Sequence, residues 1–429
     1  MERSQDEHNR REFLRQAGGT VAVSSLSMGP TILRGHPASL QANSKITCGI
    51  IGIGSQGSTL IRSMEGVADV EVIALCDNYP PHLEAAKKLV QDTRGNTPDG
   101  YDDYRKLLER NDLDAVMIAA PNPWHKPMAE AALDRDLHIL VEKPMCHTID
   151  ACNALYRLVK KRDPDTVFQI GQHRRTLPHY LQAIRQIRDG EIGEIRKMKG
   201  AWYMNASARR RLPDDSNYSP EFLEQHLNWR LYRKNGGDPA VDQGTHQIDV
   251  ANWLMHGPPV SVVGYGHIDH NDGRDVFDNC SLTFKYANGQ HYEYSLCYSN
   301  GHLGSQEMIL GTKGTMLLEQ RGAVSWMEPV RGARPAARTT SGQTREIITG
   351  ASRRAARRSP TYTMGEPIGE FLVDWYEPEM HDFFRNIRDN KKPLCDVEVA
   401  RNAAVSMYMG VRAMVTGEPV YWDQTWNTV

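Results

Sequence analysis

The sequence predicts an α/β protein in two parts. A doubly wound parallel sheet comes first, and a second α/β part with a large, open, mostly antiparallel sheet follows. Three observations predict this. Apolar strand-like runs alternate with helical patterns from 46 to 141, the rhythm of a parallel sheet covered on both faces. A glycine-rich turn sits at the first strand-to-helix junction. From 195 to 310 strand-like runs follow one another with few helices between them, which favours antiparallel pairing. A chain of 429 residues is too long for one ordinary core.

The first part reads, in order, as strand 46–53, helix 57–64, strand 70–76, helices 80–91 and 102–109, strand 114–119, helix 125–134 and strand 137–141. Helix 148–161 and strand 166–171 lead out of it. The glycine turn is Gly52-Ile53-Gly54-Ser55-Gln56-Gly57. The first glycine permits the tight turn, the second lets backbone approach a pyrophosphate, and the third lets helix pack against strand. A GxGxxG match alone is weak. Here the next strand ends in Asp77, about twenty residues on, where a carboxylate can accept hydrogen bonds from a ribose. That pairing reads as a nucleotide-binding Rossmann half. Asp77 favours NAD over NADP, because a carboxylate repels a 2′-phosphate, and Asn78 and Tyr79 add no cation.

The second part reads as strands at 195–204, 259–267, 278–286, 290–298 and 307–310. Asn288-Gly289 marks a hairpin. Tyr292, Tyr294, Leu296 and Tyr298 alternate and so share one face, as sheet packing or an interface. An open sheet of this size needs cover from helices or from another subunit. Helices at 371–388 and 397–416 close the chain. The domain limits that follow are 1–43 for a leader and linker, 44–165 for the nucleotide half, 166–370 for the open-sheet part and 371–429 for helices packing back on both.

Composition narrows the classes of function. Apolar residues make up 40% and charged ones 24%, with a net charge of −2, so neither nucleic acid nor an anionic membrane is expected as partner. No apolar run reaches the roughly 20 residues of a membrane span. The seven cysteines lack short paired spacings and read as small buried hydrophobes. The Arg-rich stretch 331–368 carries no interleaved aromatics and reads as a solvated insertion rather than a nucleic-acid patch. At the amino terminus, Arg10, Arg11, Phe13 and Leu14 precede a mild apolar stretch, resembling a twin-arginine export signal with cleavage near Ala42. A periplasmic or other extracytoplasmic location is the expectation, and with it a tightly held nucleotide, since free NAD is scarce there.

Chemistry-bearing residues cluster at predicted strand ends. Strand 114–119 runs into Pro121-Asn122-Pro123-Trp124-His125, and strand 137–141 into Glu142-Lys143-Pro144, both at the rim where ligands bind such sheets. Lys143 reads either as a group stabilising a developing alkoxide or as a surface lysine at a strand end. Asp242 and His246 are one helical turn apart, so both lie on one face. The carboxylate then raises the imidazole's basicity and fixes its tautomer; the plainer reading is a helix cap and a buried histidine. Two such ligands, with Asp249 a weak third, do not make a metal site, and none is expected. Trp124 reads as a nicotinamide neighbour or as packing. His173 and Arg174 read as substrate contacts, or Arg174 as the partner of an acid. Asn228 and Arg230 precede Gly236-Gly237 and read as a pocket cap or as loop packing.

These motifs converge on one family. The glycine turn, Tyr101-Asp-Asp-Tyr104, Ala119-Ala-Pro-Asn-Pro-Trp-His125, Glu142-Lys143-Pro144 and Asp242-x-x-x-His246 together resemble the glucose–fructose oxidoreductase, inositol dehydrogenase and MocA-like oxidoreductases, from about 44 to 423. The resemblance implies a Rossmann domain, an open-sheet domain, a bound nicotinamide cofactor and sugar- or polyol-like substrates. It also implies homodimers or homotetramers through the open sheet. It assigns Lys143, Asp242 and His246 as catalytic. Gly52, Gly54, Gln56, Gly57, Asp77, Pro121, Asn122, Trp124, His125, Glu142 and Lys143 fall to the cofactor. His173, Arg174, Asn228, Arg230 and His246 fall to the substrate.

Three functions compete on this reading. The first is an exported NAD-dependent oxidoreductase of a sugar, polyol or glycoside. The second is an NAD-dependent glycosidase or lyase that oxidises a sugar transiently and eliminates the neighbouring bond, with Tyr203 or His246 as base. The third is a non-enzymatic nucleotide-binding scaffold, against which the lysine and the Asp-His pair argue.

Overall fold

A computed structural model describes residues 45–162, 164–327, 366–369, 372 and 374–427. The leader and most of the Arg-rich insertion lie outside these residues. No helix among the described residues is long and apolar enough to cross a membrane.

The first sheet forms from β1 (Ile46–Ile51), β2 (Val70–Cys76), β3 (Asp99–Tyr101), β4 (Ala115–Ile118), β5 (His138–Val141) and β6 (Phe168–Ile170). All pairs are parallel, in the order β3-β2-β1-β4-β5-β6. The chain starts at the centre, goes outward one way, then returns to the other side of β1. That reversal opens a crevice beyond the carboxyl ends of β1 and β4. β4 is buried along its whole length, as a strand covered on both faces must be.

Helices α1 (Ser55–Ser63) and α2 (Pro80–Arg94) cover one face, burying Leu60, Ile61, Ala86 and Val90. Helices α3 (Tyr104–Leu108), α4 (His125–Leu133) and α5 (Ile149–Lys160) serve the other. The sixth strand extends this sheet to Ile170, past the domain limit of 165 read from the sequence. The short strand β3 was also not foreseen; its three residues carry no apolar pattern.

Next come α6 (Pro178–Arg188), β7 (Ile195–Tyr203), α7 (Pro220–Leu227), α8 (Arg233–Gly236) and α9 (Pro239–Met255). The second sheet continues with β8 (Ser261–His267), β9 (Asn279–Lys285), β10 (His291–Cys297), β11 (Ser305–Gly311), β12 (Gly314–Glu319), β13 (Ala323–Met327) and β14 (Glu366–Ile368). After α10 (Glu377–Asp389) and α11 (Val397–Thr416), β15 (Val420–Tyr421) completes it. The order is β14-β13-β12-β11-β7-β10-β9-β8-β15. Every pair is antiparallel except β7 with β10.

One face of this sheet is covered by α9 and α11, packed side by side on it. Tyr292, Tyr294, Leu296 and Tyr298 are buried on that side. Gly244 in α9 lies so close to Tyr294 and Met407 that a Cβ there would sit 3.0 Å and 2.4 Å from them. The other face leaves Val263 and Tyr265 exposed. Helix α10 returns to the first sheet, where Met380, Phe383 and Phe384 complete the core beneath α1.

Candidate active site

The glycine turn holds its geometry for steric reasons. Gly52 has φ +83°, and a Cβ there would lie 2.6 Å from the Ala120 nitrogen. A Cβ on Gly57 would lie 2.1 Å from the Gly52 carbonyl oxygen, so only glycine lets α1 start this close to β1. Asp77, at the end of β2, accepts hydrogen bonds from the Ile53 amide (2.8 Å) and the Tyr79 amide (2.9 Å). His82 Nδ1 and His226 Nε2 stand 3.6 and 3.7 Å from its oxygens. Burial opposes ionisation of Asp77, but the two histidines and the two amides outweigh it and hold the carboxyl well below the usual range.

Gly52, Asp77, His82 and His226 line a crevice of about 880 Å³, together with Gly54, Gln56, Pro121, Trp124, Arg210 and Arg230. Trp124 is 48% exposed within it. The segment between β7 and α9 forms its roof. Asn228 stitches that segment together: its Oδ1 accepts from the Arg210 amide at 2.7 Å, and its Nδ2 donates to Arg210 O and Glu224. Tyr218, Phe222 and His226 stack in sequence, with ring centroids 5.2 and 5.3 Å apart, and all three pack on Tyr79.

Joined to the crevice through Arg230 of its lining, a charged cluster assembled from distant segments forms the inner end of the site. Lys143 Nζ donates to Asp242 Oδ1 at 2.8 Å and to the Asp242 carbonyl at 2.7 Å. The Lys143–Pro144 peptide is cis. Arg230 Nε donates to the other Asp242 oxygen at 3.2 Å while its guanidinium lies over the Trp229 ring. Burial pushes the Asp242 carboxyl up, but Lys143 and Arg230 together bring it down to about 2. Helix α9 presents Asp242 because Asp238 caps its first turn, accepting from the Ala240 amide at 3.1 Å, with Pro239 at the first position.

His246, one turn further along α9, is buried among Trp202 and His173, its ring 6.2 and 4.6 Å from theirs. Its Nδ1 is buried without a hydrogen-bond partner. Burial, then the charges of His173, Lys143 and Arg174, push its pKa well below 6.5, so it stands as a neutral imidazole. Both His173 ring nitrogens also lack partners, and its ring lies 4.9 Å from Tyr376. Gln56 joins the first part to this cluster by donating to Glu142 at 2.7 Å. Asn122 joins the two halves by donating to the Gly236 carbonyl at 2.8 Å.

Several sequence expectations need correcting. The Asp242 carboxylate does not hold His246; both its oxygens face cations, because a carboxylate is stabilised far more by Lys143 and Arg230 than by a neutral ring. His125 does not line the crevice. It is turned inward, its ring nitrogens 2.8 and 2.7 Å from the carbonyls of Pro144 and Ala120, and burial lowers its pKa to about 4. Arg174 is fully buried as the ion-pair partner of Glu307, with Ser305 2.8 Å away, so it braces the sheet rather than meeting a ligand. Asn228 is committed to its loop. Tyr203 hydrogen-bonds Ser295 on the sheet face away from His246, which removes it as a base. Asp249 is held bidentately by Arg175 at 2.8 Å. The second sheet is mostly antiparallel, as the sequence predicts, with β7 and β10 its one parallel pair among the described residues.

Sequence reading missed Tyr79, His82 and His226 around Asp77, and Trp202 and Tyr376 around His246 and His173. His226 sits in an ordinary amphipathic stretch and offered no signal. Among the described residues, all seven cysteines are free, and all but Cys297 are buried.

Two family models match the chain. Residues 46–168 match the NAD-binding Rossmann fold of the GFO/IDH/MocA oxidoreductases, and residues 180–317 match the family's C-terminal domain. Inositol 2-dehydrogenase of Salmonella paratyphi B is 31% identical over 212 residues, 49% of this chain and 55% of that protein. Glycosyl hydrolase family 109 protein 1 of Bacteroides fragilis is 26% identical over 251 residues, 54% of this chain and 50% of that one. The chain thus spans about half the length of the curated relatives it matches. A levoglucosan dehydrogenase solved with NADH and levoglucosan superposes with a TM-score of 0.67 at 21% identity, over 89% of this chain and 100% of that one, a likeness of fold.

Proposed function

For this chain, which belongs to the GFO/IDH/MocA oxidoreductase family, we propose an NAD-dependent oxidation of a secondary hydroxyl on a sugar, polyol or glycoside. The observation that carries it is the Lys143–Asp242 pair with a neutral, unpartnered His246 one turn further along α9, joined through Arg230 to a crevice floored by the glycine turn. The crevice suits the cofactor: Gly52 and Gly57 leave backbone where a Cβ would block, and Asp77 is fixed at the rim. Arg210 and Arg230 lend it positive charge for a pyrophosphate.

The nicotinamide, when bound, supplies a hydride acceptor. The protein's own groups handle the rest. The ammonium of Lys143, anchored on Asp242, hydrogen-bonds the substrate oxygen and stabilises negative charge as it develops. His246 takes the hydroxyl proton, since its lowered proton affinity keeps it in the accepting form. The cations around His246 then favour release of that proton.

The test is to add polyols and monosaccharides to the full chain with NAD and follow reduced nicotinamide by absorbance. We expect turnover, abolished in Lys143→Ala and His246→Ala. Full rates in both variants would sink the assignment.

The names of the family 109 relatives favour a second reading. There, oxidation of a ring hydroxyl acidifies the proton beside the new carbonyl. Its removal breaks the neighbouring glycosidic bond, water adds, and the hydride returns. Cleavage of an aryl glycoside with no net change in nicotinamide absorbance would select it. Export by the twin-arginine route remains part of the proposal. So does self-association through the open sheet face, supported by the exposed Val263 and Tyr265.

A further inference from the structure

The geometry points to a divalent transition-metal site formed by Asp77, His82 and His226, which clamps the roof helix α7 onto the end of β2. One ligand atom from each residue lies within 4.8 Å of the others, and they form a group of this kind among the described residues. His82 Nδ1 and His226 Nε2 stand 3.6 and 3.7 Å from the two Asp77 oxygens, beyond hydrogen-bond distance. Donor atoms around tetrahedral zinc are roughly 3.3 Å apart, so each imidazole is within a few tenths of an ångström of that spacing from one Asp77 oxygen, and a carboxylate ligating through both oxygens meets the two rings.

The surroundings support ligation. His82 Nδ1 is buried and has no hydrogen-bond partner, an orphan that a cation would satisfy. Asp77 is already oriented by the Ile53 and Tyr79 amides, the outer-shell support that ligating carboxylates use. The His226 ring is fixed by stacking on Phe222, with planes 16° apart, and His82 meets the Tyr79 ring edge-on at 4.8 Å. Two imidazoles and one carboxylate suit zinc, cobalt or ferrous iron rather than magnesium or calcium, which prefer all-oxygen sets. The crevice supplies the open fourth position.

Occupancy has a consequence that rests on the dinucleotide reading. The carboxylate that would accept a ribose hydroxyl is the one that would hold the cation, so metal and NAD exclude each other. A metal-bound chain is an inactive form.

The experiment uses the full chain, stripped of metal and nucleotide, titrated with Co²⁺ and followed by its visible absorption. We expect one ion per chain. His82→Gln and His226→Phe, the latter keeping the stacked ring, should each weaken binding by more than the roughly 10- to 100-fold that loss of an outer-shell partner costs. Circular dichroism and thermal melting check that both variants fold. No binding, or equal binding in both folded variants, overturns the site. Saturating NAD should then bleach the cobalt band, and a band that survives overturns the exclusion. NAD binding is measured separately on metal-free chain by tryptophan quenching. Its absence there overturns the dinucleotide reading and leaves the ligand assignment to the cobalt titration.

Discussion

At the outer end of the crevice, Gly52, Gly57 and Asp77 belong to one β-α-β unit and are held by backbone contacts. At the inner end of the site, Lys143, Arg230 and Asp242 come from separate stretches and are held by side-chain charge, with the His173 and His246 rings packed together beside them. The outer end is set by shape: each glycine excludes a Cβ, and each Asp77 oxygen has an amide. The inner end is set by electrostatics: one carboxylate offsets two cations while two buried imidazoles stay neutral beside it. The difference teaches that binding and chemistry are separable here, and that changes at each end should fail in different ways.

The largest effect should come from the inner end. Lys143→Ala or His246→Ala should lower kcat by roughly 10²- to 10⁴-fold, the range of one acid–base group. Affinity for NAD, measured by fluorescence titration, should stay within a few-fold. If the loss appears in NAD affinity instead, the separation is wrong.

The outer end should fail through shape. Gly52→Ala adds a methyl 2.6 Å from backbone at a φ that favours glycine. We expect a stability loss of about 1–3 kcal/mol by urea denaturation, together with weakened NAD binding. An unchanged midpoint would contradict the steric account.

Asp77→Ala should cut the preference for NAD over NADP by on the order of tenfold, about one hydrogen bond to a charged group. Comparing dissociation constants for the two nucleotides checks it. Unaltered preference would show that the rim carboxylate plays no part in selection.

The smallest and sharpest effect is in pH. A base whose pKa is lowered remains competent below the ordinary value of 6.5, so the acid limb of kcat/KM should lie under 6.5. The same burial has a stability counterpart. Below pH 6.5 the unfolded chain gains protons that buried His125, His173 and His246 resist. Stability is therefore full above 6.5 and falls as pH drops toward the folded values, about 4 for His125. An acid limb at 6.5 or above would break the picture of a neutral His246.

The glycine turn, the strand-helix rhythm to residue 141 and the hairpin at Asn288-Gly289 were legible because each depends on contacts within a few residues. Helix 397–416 was read to the residue for the same reason: Asp396 caps it and Gly417 ends it with φ +71°. Strands β12 to β15 were not read; β12 and β13 pair with their chain neighbours, but β14 and β15 join β13 and β8 from far along the chain. Arg174 shows the limit most plainly. In sequence it reads as a substrate contact or as the partner of some acid; in the fold that acid is Glu307, on β11.

The sequence on its own was enough for the two-part α/β architecture, the nucleotide turn and the Lys143 and Asp242-His246 motifs, because sterics and short-period burial act locally. Which carboxylate meets which cation, which histidines lie neutral in the interior and which stand around Asp77 came only with the folded chain. Coulombic and desolvation energies depend on distances through space, and spacing along the chain does not encode them.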